Sequence, residues 1–314
     1  MLNDMKPPEL DLLIGPTACG KSGVALELAR RQGGEILSVD SMKLYKRLEI
    51  GVAKPSAAER AAVRHRLIDL KEPWESCSVA EWLAAAEEAW ADARARGVYT
   101  LAEGGTALYI KALREGLFEG PGRDEGLRKG LEEEARAEGL AALYARLKSI
   151  DPAAAQKILP GDERRIIRAL EVHALTGQPI SVQQAQWGKL REDARVRVVG
   201  LQMDRTELYR RIDARIDGML ARGWLDECRA LLSLERPLSK EAAQALGYRT
   251  LFAHLRGELS LDEARQRICF DTHHFARRQL MWYRKFPAVA WIEVAPDEPA
   301  QALADRVAAA FANA

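Results

Sequence analysis

The sequence has no apolar run approaching the ~20 residues needed to span a bilayer. Its first residues, MLNDMKPPEL, carry neither the basic nor the apolar stretch of a secretory leader. A cytoplasmic protein without a membrane partner is expected. Cysteine is sparse: Cys19, Cys77, Cys228 and Cys269 are too scattered for a paired-cysteine metal site and give no disulfide framework. Reduced thiols are the simplest reading. An excess of one charge is also missing. With 47 Lys+Arg against 46 Asp+Glu the formal net charge is +1, which argues against coating a nucleic acid by bulk electrostatics and leaves room for a local basic face. There is no internal repeat, no low-complexity tract and no added Cys2His2 finger.

What is present is a globular composition, 47% hydrophobic and 30% charged over 314 residues, enough for one large domain or two ordinary ones. Short apolar, β-rich runs at 10–14, 35–39, 66–70 and 98–102 alternate with helical patterns near 21–31, 78–96 and 106–114. That rhythm predicts an α/β fold with a parallel sheet flanked by helices. Strand composition returns at 196–201 and 289–294, on either side of a long helical stretch at 204–284. Between about 121 and 190 the chain shows helical periods, helix-start signals at Asp124, Asp151 and Asp162, and no strand. The expected organisation is a core of 1–120 and 191–314 interrupted by an all-helical insertion domain, 121–190.

Three stretches carry chemistry. GPTACGKS (Gly15, Pro16, Thr17, Ala18, Cys19, Gly20, Lys21, Ser22) follows the first strand and opens a helix. It fits G-x-x-x-x-G-K-[ST], in which backbone amides wrap a pyrophosphate, the lysine reaches the outer phosphates and the hydroxyl binds Mg2+. In SVDSMKLYK, Asp40 and Ser41 lie past the second strand at the same sheet edge. That carboxylate reads as a general base, an outer-sphere Mg2+ partner or a helix N-cap. In EGGTALY, two glycines allow close backbone approach and Thr106 offers a hydroxyl or an N-cap. Two basic clusters stand out: Arg164, Arg165 and Arg168, and Arg277, Arg278, Arg284 and Lys285 around Trp282 and Tyr283. Alone, each reads as a solvated helix face. His273 and His274 are adjacent, hence on different helix faces, and support no metal site.

Taken with IGVAKP (50–55), HRLIDL (65–70), RRIIRALEV (164–172), ALGYR (245–249) and FARRQLMWYRKF (275–286), these stretches give the chain its character. Over nearly its whole length it resembles the bacterial tRNA dimethylallyltransferases. The resemblance implies a P-loop NTPase-like core and transfer of a dimethylallyl group from dimethylallyl diphosphate to the exocyclic amine of the adenosine beside the tRNA anticodon. The phosphate loop would then hold an isoprenoid diphosphate, with no γ-phosphate transferred. Lys21 would neutralise the leaving group, Ser22 would ligate Mg2+, Asp40 would act as base, and Arg215, otherwise a surface-helix arginine, would add a cation. Thr106 would contact the extruded adenosine alongside Asp40, Ser41, Met42 and Lys43. Arg128 and the segment Arg164, Arg165, Ile166, Ile167 and Arg168 would contact the anticodon stem-loop. A monomer is expected, because the RNA must reach one end of a channel.

The sequence departs from the family pattern at three places. Cys19 stands where relatives have Ser or Thr, with little consequence expected beyond sensitivity to oxidants. Val52 replaces a threonine. Glu103 precedes GGT where relatives carry an apolar residue, and an acid there is what a phosphate-loop kinase uses to hold Mg2+. A small-molecule or nucleotide kinase using ATP is therefore the alternative.

Overall fold

In a computed structural model that describes residues 8–117, 120–184 and 189–314, β1 (Glu9–Ile14) is buried from Leu10 to Ile14 without alternation, as a strand covered on both faces requires. The leader reading of residues 1–7 falls outside the described residues. The chain continues through α1 (Lys21–Arg31), β2 (Glu35–Val39), α2 (Ala57–Ala62), β3 (Arg64–Arg66), α3 (Val79–Ala95), β4 (Thr100–Gly104) and α4 (Ala107–Glu115). α2 and α3 start on reciprocal capping boxes, Ser56 with Glu59 and Ser78 with Glu81, which satisfy amides that a helix end leaves unpaired.

Among the described residues, five helices come next: α5 (Glu125–Glu138), α6 (Leu140–Ile150), α7 (Pro152–Ala155), α8 (Glu163–Thr176) and α9 (Ile180–Gln184). The chain closes with β5 (Arg195–Gln202), α10 (Arg205–Ala221), α11 (Trp224–Leu232), a 3-10 turn, α12 (Tyr248–Leu255), α13 (Leu261–Tyr283), β6 (Val289–Glu293) and α14 (Ala300–Ala312).

Six parallel strands in the order β3-β2-β4-β1-β5-β6 form one sheet. Because β4 lies between β1 and β2, the C-terminal ends of these three strands are neighbours, and open α/β sheets place their ligands at that edge. Register fixes the details. Glu103 pairs with Leu13 on one side and Ser38 on the other, and Gly104 pairs with Val39. A Cβ on Gly104 would lie 2.2 Å from the Val39 carbonyl oxygen, so only glycine permits the approach. The helices α1, α3 and α14 pack buried faces of Leu, Val, Ala, Trp and Phe against the sheet, while α10 and α13 pack on each other.

Three sequence expectations need correction. The strand at 66–70 is only Arg64–Arg66, because Leu67 and Asp69 take φ of +65° and +57°, which ends extended backbone. The strand at 98–102 shifts to Thr100–Gly104. The helical stretch 204–284 is four α-helices and a 3-10 turn, broken by left-handed Gly223, Gly247 and Gly257.

The described residues divide into two compact units: residues up to Arg114 with Glu192–Ala314, and Glu115–Arg191. The second unit contains α5–α9 and, among the described residues, no strand. Leu131, Leu143, Leu147, Ile166, Ile167, Leu170 and Val172 make its core. Asp124, Asp151 and Asp162 cap its helices as the sequence predicts, accepting from the amides of Leu127, Ala154 and Arg165 at 2.8, 2.9 and 3.2 Å. No described helix is long and apolar enough to cross a membrane.

Candidate active site

The phosphate loop spans the turn from Ile14 to Lys21. Ala18 and Gly20 sit at φ +65° and +95°, and the chain turns from strand into α1 through them. Cys19 is wholly buried and its sulfur packs on Gly15, where a Cβ would meet it at 2.8 Å. Burial pushes its thiol pKa up, which keeps it protonated and shielded. The expected oxidant sensitivity is therefore corrected. Lys21 Nζ donates to the Pro16 carbonyl at 3.2 Å, lying back across the loop. Ser22 Oγ donates to Glu103 Oε1 at 3.1 Å.

Beside the loop, the second and third motifs clasp each other. The Val39 carbonyl accepts from the amides of Gly105 and Thr106, both at 3.1 Å. Thr106 Oγ1 accepts from the Ser41 amide at 3.0 Å and donates to Ser41 Oγ at 3.3 Å. Thr106 thus spends its hydroxyl on Ser41 rather than on an amide of α4. Asp40 Oδ1 accepts from the amides of Met42 and Lys43 at 2.8 and 3.2 Å. One oxygen therefore plays the capping role, while Oδ2 has no hydrogen-bond partner among the described residues.

Gln279, which the sequence reading passed over, ties the loop to the clasp. Its Oε1 accepts from the Thr17 amide at 2.9 Å and its Nε2 donates to the Gly105 carbonyl at 2.9 Å. Tyr283, one turn further along α13, donates to the same carbonyl at 2.7 Å. Both side chains are buried. A glutamine and a tyrosine at i, i+4 inside a basic segment were the available signal. The cations of that segment are exposed, as is Trp282 at 45%.

Arg215 on α10 is not a surface-helix arginine. It lines the cavity beside the loop, and its Nη1 donates to Thr17 Oγ1 at 3.4 Å. Burial lowers its pKa below the usual guanidinium value, against the opposing pull of Asp40 and Glu103, and it stays a cation at neutral pH. The cavity is about 250 Å3 and is also lined by Ser22, Ser38, Lys43, His65 and Glu103. Burial raises the Glu103 pKa, but Lys43, Lys21 and the Ser22 hydrogen bond outweigh it and hold the carboxyl below its ordinary value. Lys43 Nζ is 3.8 Å from Glu103 Oε2 with its side chain only 12% exposed. Its ammonium thus lies at the cavity, beside Glu103. Burial lowers the His65 pKa, leaving a neutral imidazole.

In the helical unit the expected RNA contacts divide. Ile166 and Ile167 are buried in its core and cannot offer side chains to a ligand. Arg128 forks onto Glu171 with two bonds of 2.8 Å, and Arg168 adds a third of 2.7 Å. Glu171 has no exposure, so these two arginines neutralise a buried carboxylate. Arg164 and Arg165 are exposed, the latter with a loose i,i+3 pair to Asp162 at 3.4 Å. His273 Nε2 is 2.8 Å from Asp213 and its ring stacks on Tyr209, a packing role. No group of three or more His, Cys, Asp or Glu fit to hold a metal occurs among the described residues.

Comparison with known proteins places this arrangement. The family described as IPP transferase matches residues 43–286. The chain is 43% identical to the tRNA dimethylallyltransferase of Geobacter metallireducens over 292 residues, 93% of this chain and 94% of that one. It is 46% identical to that of Anaeromyxobacter dehalogenans over 299 residues, 95% and 98% of the two. Among solved structures, the tRNA isopentenylpyrophosphate transferase of Bacillus halodurans superposes with a TM-score of 0.69 at 35% identity, covering 98% of each chain. A eukaryotic dimethylallyltransferase acting on tRNA, at 24% identity, gives a TM-score of 0.76 over 91% of this chain and 74% of that one, a likeness of fold. A phosphate loop clasped to an Asp-Ser turn and a Gly-Gly-Thr turn in one such chain leaves a single assignment: the chain belongs to the IPP transferase family.

Proposed function

We propose that this chain transfers the dimethylallyl group of dimethylallyl diphosphate to the exocyclic amine of the adenosine adjacent to the tRNA anticodon, releasing diphosphate. The observation that carries the reading is the shared scaffold of the three motifs. Gln279 bridges the phosphate loop at Thr17 to the turn at Gly105, whose neighbour Thr106 holds Ser41 next to Asp40. A carboxylate that can take a proton is thereby fixed beside a loop built for a diphosphate.

The bond changes follow. The adenosine nitrogen attacks the allylic carbon, the carbon–oxygen bond breaks, its electron pair leaves with the diphosphate, and the nitrogen's proton passes to Asp40. An exocyclic adenine amine is a weak nucleophile, so a base within reach lowers the barrier. Charge grows on the departing oxygens, where loop amides, Lys21 and Arg215 stabilise it. A base stacked in an anticodon loop cannot reach such a site and must be turned outward, which gives Thr106 and the segment Asp40–Lys43 their role. The donors fit Mg2+, since Ser22 offers a hard oxygen beside a carboxylate and the buried Cys19 thiol is no competing ligand. Ser22 would hold the ion, whose contribution when bound is to neutralise diphosphate charge. The reading includes a cytoplasmic monomer.

The kinase alternative rests on Glu103 alone and finds no support in the relatives, which are tRNA dimethylallyltransferases. Incubation with an unmodified anticodon stem-loop and labelled dimethylallyl diphosphate tests the proposal: label is expected on the adenosine. Phosphate transfer from ATP with no labelled RNA would reverse it. In the helical unit, Arg165→Ala is expected to weaken tRNA binding roughly fivefold and to lower the salt slope by about one. Diphosphate affinity should be unchanged, and equal loss of both ligands would remove Arg165 from the RNA interface.

A further inference from the structure

Glu103 is unexplained by the transfer chemistry. It is a carboxylate with 4% exposure at the end of a central strand, beside a loop that must receive a diphosphate of like charge. Its two oxygens are used differently: Oε1 accepts from Ser22 Oγ at 3.1 Å, and Oε2 faces the Lys43 ammonium at 3.8 Å. On the neighbouring strand, Ser38 stands in register with Glu103, has 3% exposure, and lines the same cavity. Its hydroxyl has no hydrogen-bond partner among the described residues. A buried orphan hydroxyl costs stability unless something outside the protein's own atoms satisfies it.

Resting on the diphosphate reading above, we infer that Glu103 is a direct ligand of the Mg2+ that accompanies the diphosphate, alongside Ser22, with Ser38 holding a water of the same ion. Mg2+ binds hard oxygens at 2.0–2.1 Å in octahedral geometry, so adjacent ligands sit about 2.9 Å apart. The Ser22–Glu103 separation of 3.1 Å matches that edge. Mg2+ also keeps several waters and is usually held by one or two carboxylates together with substrate phosphates. A hydroxyl one strand away from the ligating carboxylate is where such a water finds its second partner. Lys43 supplies the countercharge to Glu103 until the ion arrives, and the acid then places positive charge on the diphosphate rather than repelling it.

The test is binding of inorganic diphosphate, measured by calorimetry across a Mg2+ titration, with no RNA and no turnover. For Glu103→Gln the Mg2+ midpoint is expected to rise tenfold or more, in line with the loss of a metal-orienting group. Binding without metal is expected to stay the same or tighten, because a like charge has gone. Ser38→Ala removes only the orphan hydroxyl from a buried site and should fold even if Glu103→Gln does not. It is expected to raise the Mg2+ midpoint about threefold, with no change in metal-free binding. Identical midpoints in wild type and Glu103→Gln would overturn the inference and leave Glu103 as the counter-ion of Lys43. Should Glu103→Gln not fold, an unchanged midpoint in Ser38→Ala overturns it. Wild-type protein that binds no diphosphate at any Mg2+ concentration would instead overturn the diphosphate reading, and this inference with it.

Discussion

Asp40→Asn is expected to lower turnover by about 10^2- to 10^4-fold, the usual range for removing a positioned general base, while the affinities for tRNA and diphosphate stay within about twofold. Asparagine is the informative substitution because of how the carboxylate is held. Oδ1 is committed to the Met42 and Lys43 amides, and the asparagine carbonyl oxygen can accept the same two bonds. The segment that carries Ser41 to Thr106 therefore keeps its shape. What changes is Oδ2, which becomes an amide nitrogen unable to take a proton. Alanine would confound the result by deleting the cap as well, worth roughly 1 kcal/mol, and by loosening a contact to the adenosine. Single-turnover rates with saturating substrates separate the two effects. A rate within about fivefold of wild type in Asp40→Asn would move the proton to another acceptor and remove Asp40 from the chemistry, even with the prenyl transfer itself intact.

The parts of this site that were legible in the sequence are those whose chemistry is local. The phosphate loop needs its glycines, lysine and serine within eight consecutive positions, and the Asp-Ser and Gly-Gly-Thr turns each follow a strand that periodicity reveals. Helix starts at Asp124, Asp151 and Asp162 were readable for the same reason, since a cap acts over three residues. Parts that depend on distant partners were not. Gln279 lies 262 residues from the amide it holds, and its i,i+4 spacing to Tyr283 marks a shared helix face without naming the partners that face meets. Glu171 illustrates the converse. Its burial pairs Arg128 and Arg168, from two different helices, with one internal carboxylate, a partner that sequence alone does not reveal. Ile166 and Ile167 follow from the 3.6-residue period, which turns them inward when Arg164 and Arg165 face out. Lys43 sits among turn residues in the sequence, and only the fold puts Glu103 and the cavity beside it.

Lys21→Met is expected to reduce kcat/KM for the diphosphate substrate by about 10^3-fold, or about 4 kcal/mol of transition-state stabilisation at 1.36 kcal/mol per tenfold. Methionine keeps most of the aliphatic stem and removes only the ammonium, and the start of α1 is set by left-handed Gly20 rather than by this side chain. In this structure Nζ is held by the Pro16 carbonyl at 3.2 Å, a single neutral acceptor that a diphosphate oxygen outcompetes, because charge-assisted bonds are about twice as strong as neutral ones. The lysine is therefore expected to leave that acceptor when a diphosphate binds. How the loss divides between kcat and KM decides its role. Negative charge on the bridging oxygen increases as the allylic bond breaks, so an ammonium that meets that charge acts mainly on kcat. A rise in KM with unchanged kcat would mean that Lys21 only captures the diphosphate, and that Arg215, whose Nη1 is 3.4 Å from Thr17 Oγ1, carries the leaving-group charge alone. Arg215→Ala measured beside Lys21→Met resolves this. If both cations meet the same developing charge, the double variant loses less than the product of the two single losses, since groups acting as a unit are not additive.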